Sequence, residues 1–128
     1  MESNLNTNAI AFIGLCNEYC VEVENARESE RGEFIDHILR LLPRIYIAAS
    51  DLKAESSGYE EPYIENILEE DYYEALRRNM EELMGADDVY LEVFEEDMKY
   101  SDTPVAASIS EGLADIFQAL YNFINTIR

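Results

Sequence analysis

Basic residues are scarce in this sequence. Nine Lys and Arg stand against 28 Asp and Glu in 128 residues, which gives a formal net charge of -19. A surface this acidic repels the phosphates of nucleic acids and the headgroups of anionic membranes. We therefore expect no nucleic-acid partner and no membrane partner.

Histidine and cysteine are also rare. His37 is the single histidine, and Cys16 and Cys20 are the two cysteines. A structural zinc site takes four nitrogen or sulfur ligands, more than these residues supply. The cysteine spacing does not match the CxxC redox or zinc patterns. It predicts two buried free thiols one turn apart in a helix core.

The sequence has neither a positively charged leader nor a long apolar run. The run Ala9–Cys16 is short, no basic residue precedes it, and Asn17 and Glu18 follow it. It lacks the features of a signal peptide and the length of a membrane span. A cytoplasmic location is the resulting prediction.

Apolar residues recur at helical spacing along most of the chain. Hydrophobic residues make up 48% of it, enough for one self-sufficient core over residues 1–128. Steps of three and four residues predict helices over about 9–25, 34–52, 71–84 and 108–127. The second pattern runs through Pro43 without a break, which favours a kinked helix over two helices. The chain is therefore predicted to be an all-α single-domain bundle of four or five helices.

The helix ends carry their own signals, and one segment is ambiguous. Gly85 is suited to end the third helix, and Asp71-x-x-Glu74 and Ser108-x-x-Glu111 resemble capping boxes at helix starts. Residues 87–98 alternate apolar and polar side chains, as a strand does. A lone strand without a partner is unstable, so we predict a short helix there.

Two segments of the chain resemble a known protein family. They are Gly-Ala-Asp-Asp-Val-Tyr-Leu-Glu-Val-Phe at 85–94 and Ser-Ile-Ser-Glu-Gly-Leu-Ala-Asp-Ile-Phe-Gln-Ala-Leu at 108–120. This stretch, Leu83 to Ile124, resembles an uncharacterised all-helical bacterial family of unknown function, with weaker similarity over Leu41–Tyr46. The resemblance implies an all-α fold and no known activity. Typical members continue into a further helix, so we expect a chain trimmed after Arg128.

Glu111 and Asp115 are the candidates for a metal site. The segment from Glu111 to Ile116 resembles the Glu-x-x-Asp helix of all-α nucleotide pyrophosphohydrolases, in which carboxylates hold magnesium. It departs from that pattern at Gly112, where the paired carboxylate would stand. The alternative is that Glu111 caps the helix and Asp115 is a solvated side chain. No other pattern indicates a cofactor, so none is expected.

The negative charge is concentrated in the middle of the chain. Residues 55–102 contain seventeen acidic and three basic residues, a net charge of -14, together with six of the nine tyrosines. Tyrosine is enriched at protein interfaces because its ring packs and its hydroxyl forms hydrogen bonds. The predicted interaction surface comprises Tyr59, Tyr63, Tyr72, Tyr73, Asp87, Asp88, Tyr90 and Glu92.

Three functions are consistent with these features. The first is a non-catalytic interaction or accessory module that binds a protein partner or self-associates. Its acidity would accelerate encounter with a cationic partner more than it would add affinity. The second is the magnesium-dependent phosphohydrolase built on Glu111 and Asp115. The third is a DNA mimic, which requires carboxylates spaced like phosphates over an extended face.

Overall fold

The structure is a computed structural model that describes residues 7–55, 64–92 and 105–127. Four α-helices lie in these ranges, with two short 3-10 turns at Ala26–Glu28 and Gly85–Asp88. The helices are α1 (Thr7–Glu24), α2 (Arg31–Glu55), α3 (Glu70–Met84) and α4 (Ile109–Thr126). The strands β1 (Val89–Glu92) and β2 (Val105–Ser108) form a small two-stranded sheet. The predicted all-α fold is confirmed.

The long second helix is continuous. Pro43 lies inside α2 and is exposed to solvent. A proline on the outer face loses one backbone hydrogen bond without disturbing the buried stripe on the opposite side. The prediction of one helix instead of two is therefore confirmed, and the kink at Pro43 stays a prediction.

The helix predicted within residues 87–98 is wrong over 89–92, where the chain forms β1; residues 93–98 lie outside the described ranges. β1 pairs antiparallel with β2, and Val89 lies opposite Ser108 in the register. A lone strand is unstable without a partner. β2 supplies one, but its sequence Val-Ala-Ala-Ser lacks the alternating pattern that identifies a strand. The backbone hydrogen-bond partners of β1 lie in β2, more than a dozen residues further along the chain. A local sequence pattern does not indicate a partner at that distance.

The helix ends agree with two of the three predicted signals. Ser108 is the N-cap of α4 and its hydroxyl accepts the backbone N–H of Glu111 at 3.1 Å. Gly85 ends α3 with a φ of 61°, a conformation that glycine adopts without strain. The capping box at Asp71 is wrong, because α3 begins one residue earlier and Glu69 precedes it without a side-chain cap.

The core lies around α1, which packs between α2 and α4, while α3 packs mainly against α4 and also contacts α1. The Tyr19 side chain is fully buried and its hydroxyl donates to the Leu113 carbonyl oxygen at 2.7 Å. In a closed four-helix bundle each helix packs against two neighbours. Within the described ranges, α1 is the one helix along which α2 packs extensively. One flank of α2 is therefore left open.

Candidate interaction surface

Two tyrosines of the predicted interaction surface connect helices within the molecule. At the start of α3, the Tyr72 hydroxyl donates to Glu24 Oε2 of α1 at 2.5 Å. The Tyr73 hydroxyl donates to Asp115 Oδ1 of α4 at 2.6 Å. The Tyr72 ring also lies edge-on to Phe117, with ring centroids 6.2 Å apart. Both side chains hold α3 against its neighbours.

Protonation keeps these two hydroxyls as donors. Burial raises the pKa of Tyr72 above its ordinary value, and the hydrogen bond to Glu24 raises it further. Burial likewise raises the pKa of Tyr73, with a further contribution from the hydrogen bond to Asp115. Since a carboxylate accepts and cannot donate, the neutral phenol is the form that bridges the helices.

The two adjacent aspartates of the predicted surface have different environments. Asp88 is 2% exposed, and it accepts the Ser110 backbone N–H at 2.7 Å and the Ser110 hydroxyl at 2.8 Å. It satisfies groups at the start of α4 that have no partner inside the helix. Asp87 is exposed and forms an ion pair with Arg31 of α2. Asp88 is therefore a buried structural anchor, and Asp87 links the 3-10 turn to α2.

Of the remaining predicted surface residues, the structure describes the side chain of Tyr90. Tyr90 is 42% exposed on β1 and makes contacts of its own. Glu92 ends β1. Tyr59 and Tyr63 lie outside the described residues.

Asp115 and Glu111 lie one turn apart on α4, and both are exposed. Asp115 already accepts the hydroxyl of Tyr73. Glu30 caps the start of α2 by accepting the backbone N–H groups of Gly32 and Glu33, each at 3.0 Å. In the part of the chain that the structure describes, no three His, Cys, Asp or Glu side chains are grouped to hold a metal ion. The magnesium site stays a prediction.

The histidine and cysteines occupy ordinary structural positions. His37 Nδ1 lies 3.0 Å from Glu22 Oε1, so this exposed pair joins α2 to α1. Cys16 and Cys20 are buried and not joined in a disulfide, as predicted. Burial raises the pKa of the Cys16 thiol to about 12. A buried, protonated thiol is a poor nucleophile.

α2 carries two parallel apolar stripes. The core stripe is buried against α1 and consists of Phe34, Ile38, Leu41 and Ile45. The second stripe follows each of these residues by one position and consists of Ile35, Leu39, Leu42 and Tyr46. One position along a helix is a rotation of about 100°. The second stripe therefore lies on the open flank of α2.

The second stripe is exposed at two of its four residues. Leu39 is 64% exposed and Tyr46 is 76% exposed, while Ile35 and Leu42 are partly buried. Scattered exposed apolar residues are normal, but a contiguous row on one helix face is typical of a binding surface.

An apolar groove runs beside the second stripe. It has a volume of about 210 Å³ and separates α2 from the end of α3 and the start of α4. Its lining is apolar throughout: Phe34, Ile35, Ile38, Leu39, Leu42, Met84, Ile109 and Leu113. This groove and the second stripe form one continuous surface, which we call the docking face.

The docking face lies on the least acidic helix. Residues 31–55 of α2 contain four acidic and four basic residues, so the helix is formally neutral in a chain of net charge -19. The sequence prediction concentrated on the acidic middle segment and missed this face. A signal was present: Phe-Ile, Ile-Leu, Leu-Leu and Ile-Tyr are four apolar pairs at helical spacing, wider than one buried stripe requires.

Comparison with known proteins agrees with the all-helical assignment. The model of a family described as "Domain of unknown function (DUF5063)" matches residues 3–128. The chain belongs to this family. The family description names no activity, and no curated protein matches the chain.

A solved crystal structure is similar to this fold. The crystal structure of a protein from Bacteroides fragilis, determined by a structural genomics consortium, is similar with a TM-score of 0.70 and 28% sequence identity. The similarity covers 94% of this chain and 68% of that chain. Separately, no helix within the described ranges is both long enough and apolar enough to cross a membrane.

Proposed function

We propose that this chain is a non-catalytic protein-binding module that docks its partner on the second stripe of α2. The observation that carries the proposal is a row of apolar side chains, two of them mostly exposed, beside a wholly apolar groove. Burying a leucine side chain contributes about 1.5–3 kcal/mol. Leu39 and Tyr46, which are mostly exposed in the isolated chain, are the residues with most to gain from a partner.

The proposed interface lies on α2 and not in the acidic, tyrosine-rich segment of residues 55–102. The hydroxyls of Tyr72 and Tyr73 already donate hydrogen bonds to Glu24 and Asp115. A partner would have to compete with these bonds inside the molecule. Asp88 is buried under the start of α4. The acidic residues would act at long range, as a field that selects and attracts the partner.

The proposal retains several predictions drawn from the sequence. The chain would work as one domain in the cytoplasm, with a protein and not a nucleic acid as its partner. Tyr72, Tyr73 and Asp88 form hydrogen bonds inside the molecule. Fewer polar side chains are therefore available to imitate the phosphates of DNA.

Affinity capture with matched variants tests the proposal. Wild-type protein, Leu39→Ser with Tyr46→Ser, and the control Val21→Ser would each be used on extract from the source cells. Val21 is 55% exposed on α1 and lies outside the docking face, so its substitution removes a comparable apolar side chain elsewhere. A captured protein would then be identified, purified and titrated by calorimetry.

We expect the double variant to lose a partner that wild type and Val21→Ser both retain, with affinity at least about tenfold weaker in the titration. Circular dichroism would verify that all three proteins fold alike. Identical capture by all three, including capture of nothing, would contradict the proposed docking face.

A further inference from the structure

We infer that the docking face accepts an amphipathic helix with basic flanks, supplied by a partner protein. This assignment rests on the docking function proposed above and names the partner. Three features carry it: the spacing of the second stripe, the missing neighbour of α2, and the charge of the chain.

The spacing of the second stripe matches a helix. Ile35, Leu39, Leu42 and Tyr46 follow each other by four, three and four residues. Alternating steps of four and three residues form the apolar seam along which two helices pack in a coiled coil. The row is about 17 Å long at 1.5 Å per residue, so a helix of about three turns covers it.

The packing of the bundle leaves room for that helix. In the described ranges α2 packs extensively on α1, whereas the groove separates it from the end of α3 and the start of α4. A helix lying over the groove would contact Leu39 and Leu42 on one side and Ile109 and Leu113 on the other. It would supply α2 with the second neighbour that a closed bundle provides.

The charge of the chain decides what kind of helix fits. A second copy of this chain would bring another -19 towards the first, and two such surfaces repel. A partner with Lys and Arg beside its apolar stripe is attracted instead. The neutral α2 lets the apolar stripes meet without burying unpaired carboxylates.

A designed peptide tests this partner chemistry directly. The probe is an 18-residue peptide of leucine and lysine, with leucines at i, i+3, i+4 and i+7, labelled for fluorescence anisotropy. Its control is a peptide of identical composition and charge with the order scrambled. Both would be titrated with wild type, with Leu39→Ser plus Tyr46→Ser, and with Val21→Ser, at low and high salt.

We expect wild type and Val21→Ser to bind the ordered peptide at least about tenfold more tightly than the scrambled one, and the double variant to lose that preference. Amide NMR shifts on adding the ordered peptide should centre on Leu39, Leu42, Ile109 and Leu113. Equal binding of both peptides, or equal binding by the double variant, would show non-specific charge attraction and overturn the inference.

The remaining outcomes separate this inference from the proposed function. If sedimentation detects a dimer that Leu39→Ser dissociates, the occupant is a second copy, and the cationic helix is overturned while the docking face stands. The same holds when the ordered peptide does not bind but the captured partner still requires Leu39. Failure of both the peptide and the capture experiment would overturn both.

Discussion

The two stripes of α2 have nearly the same composition and different exposure. Phe34, Ile38, Leu41 and Ile45 are at most 9% exposed, whereas Leu39 and Tyr46, one residue further along, are 64% and 76% exposed. Rotation by one residue is the whole difference between them. The comparison shows that apolarity on a helix specifies where contact is favourable, while the neighbouring elements decide which contact the isolated chain makes.

The largest effect should come from truncating the core stripe. Ile38→Ala removes a side chain that is 5% exposed and leaves a cavity against α1. We expect the free energy of unfolding to fall by about 2–5 kcal/mol, measured by urea denaturation. A loss no larger than that of Leu39→Ala would mean that the two stripes are not distinguished by burial.

The opposite wall of the groove should depend on Asp88. Asp88→Ala leaves the buried N–H and hydroxyl of Ser110 without their acceptor at the start of α4. We expect a loss of about 1–3 kcal/mol in the free energy of unfolding. Asp87→Ala, which removes an exposed ion pair with Arg31, is the matched control and should cost about 0–1 kcal/mol. Equal losses would argue against Asp88 as the anchor of α4.

Two exposed helix glycines offer a stabilising change. Gly14 of α1 and Gly112 of α4 are exposed, and an added Cβ would meet no atom within 4 Å. Gly14→Ala and Gly112→Ala should each raise the free energy of unfolding by about 0.5–1 kcal/mol, observed as a higher melting temperature. Gly85→Ala is the control and should destabilise, because its φ of 61° disfavours a side chain.

The smallest effect should come from the second stripe. Leu39→Ala and Tyr46→Ala remove exposed side chains, so each should change the free energy of unfolding by less than about 0.5 kcal/mol. The same urea measurement as for Ile38→Ala checks this. A loss approaching that of Ile38→Ala would show that the second stripe is part of the folding core and not a surface held for a partner.

Much of the fold could be predicted from local patterns. The periodicity of α2 identified its core stripe, the Ser108 cap marked the start of α4, and Gly85 marked the end of α3. These features depend on residues at most four positions apart, where side-chain spacing and capping chemistry act directly. β1 was missed because its stability depends on pairing with β2 across the intervening chain.

The candidate site was less predictable. Tyr72 and Tyr73 resemble interface residues by type, but their hydroxyls meet carboxylates that lie 48 and 42 residues away in the sequence. By residue type Asp88 resembles a surface acid, but in the folded chain it accepts a hydrogen bond from Ser110. Each of these roles depends on a partner brought close by folding, which neither residue type nor spacing specifies.

The sequence by itself determined the helices, the two buried thiols, the acidic charge and the presence of two apolar stripes on α2. Local backbone preference and side-chain periodicity are properties of neighbouring residues, so the chain carries them before it folds. Only the tertiary structure decided which stripe α1 covers and which one is left beside an open groove. The physical reason is that burial depends on the element that packs opposite, and among the described residues α2 packs extensively against α1 alone.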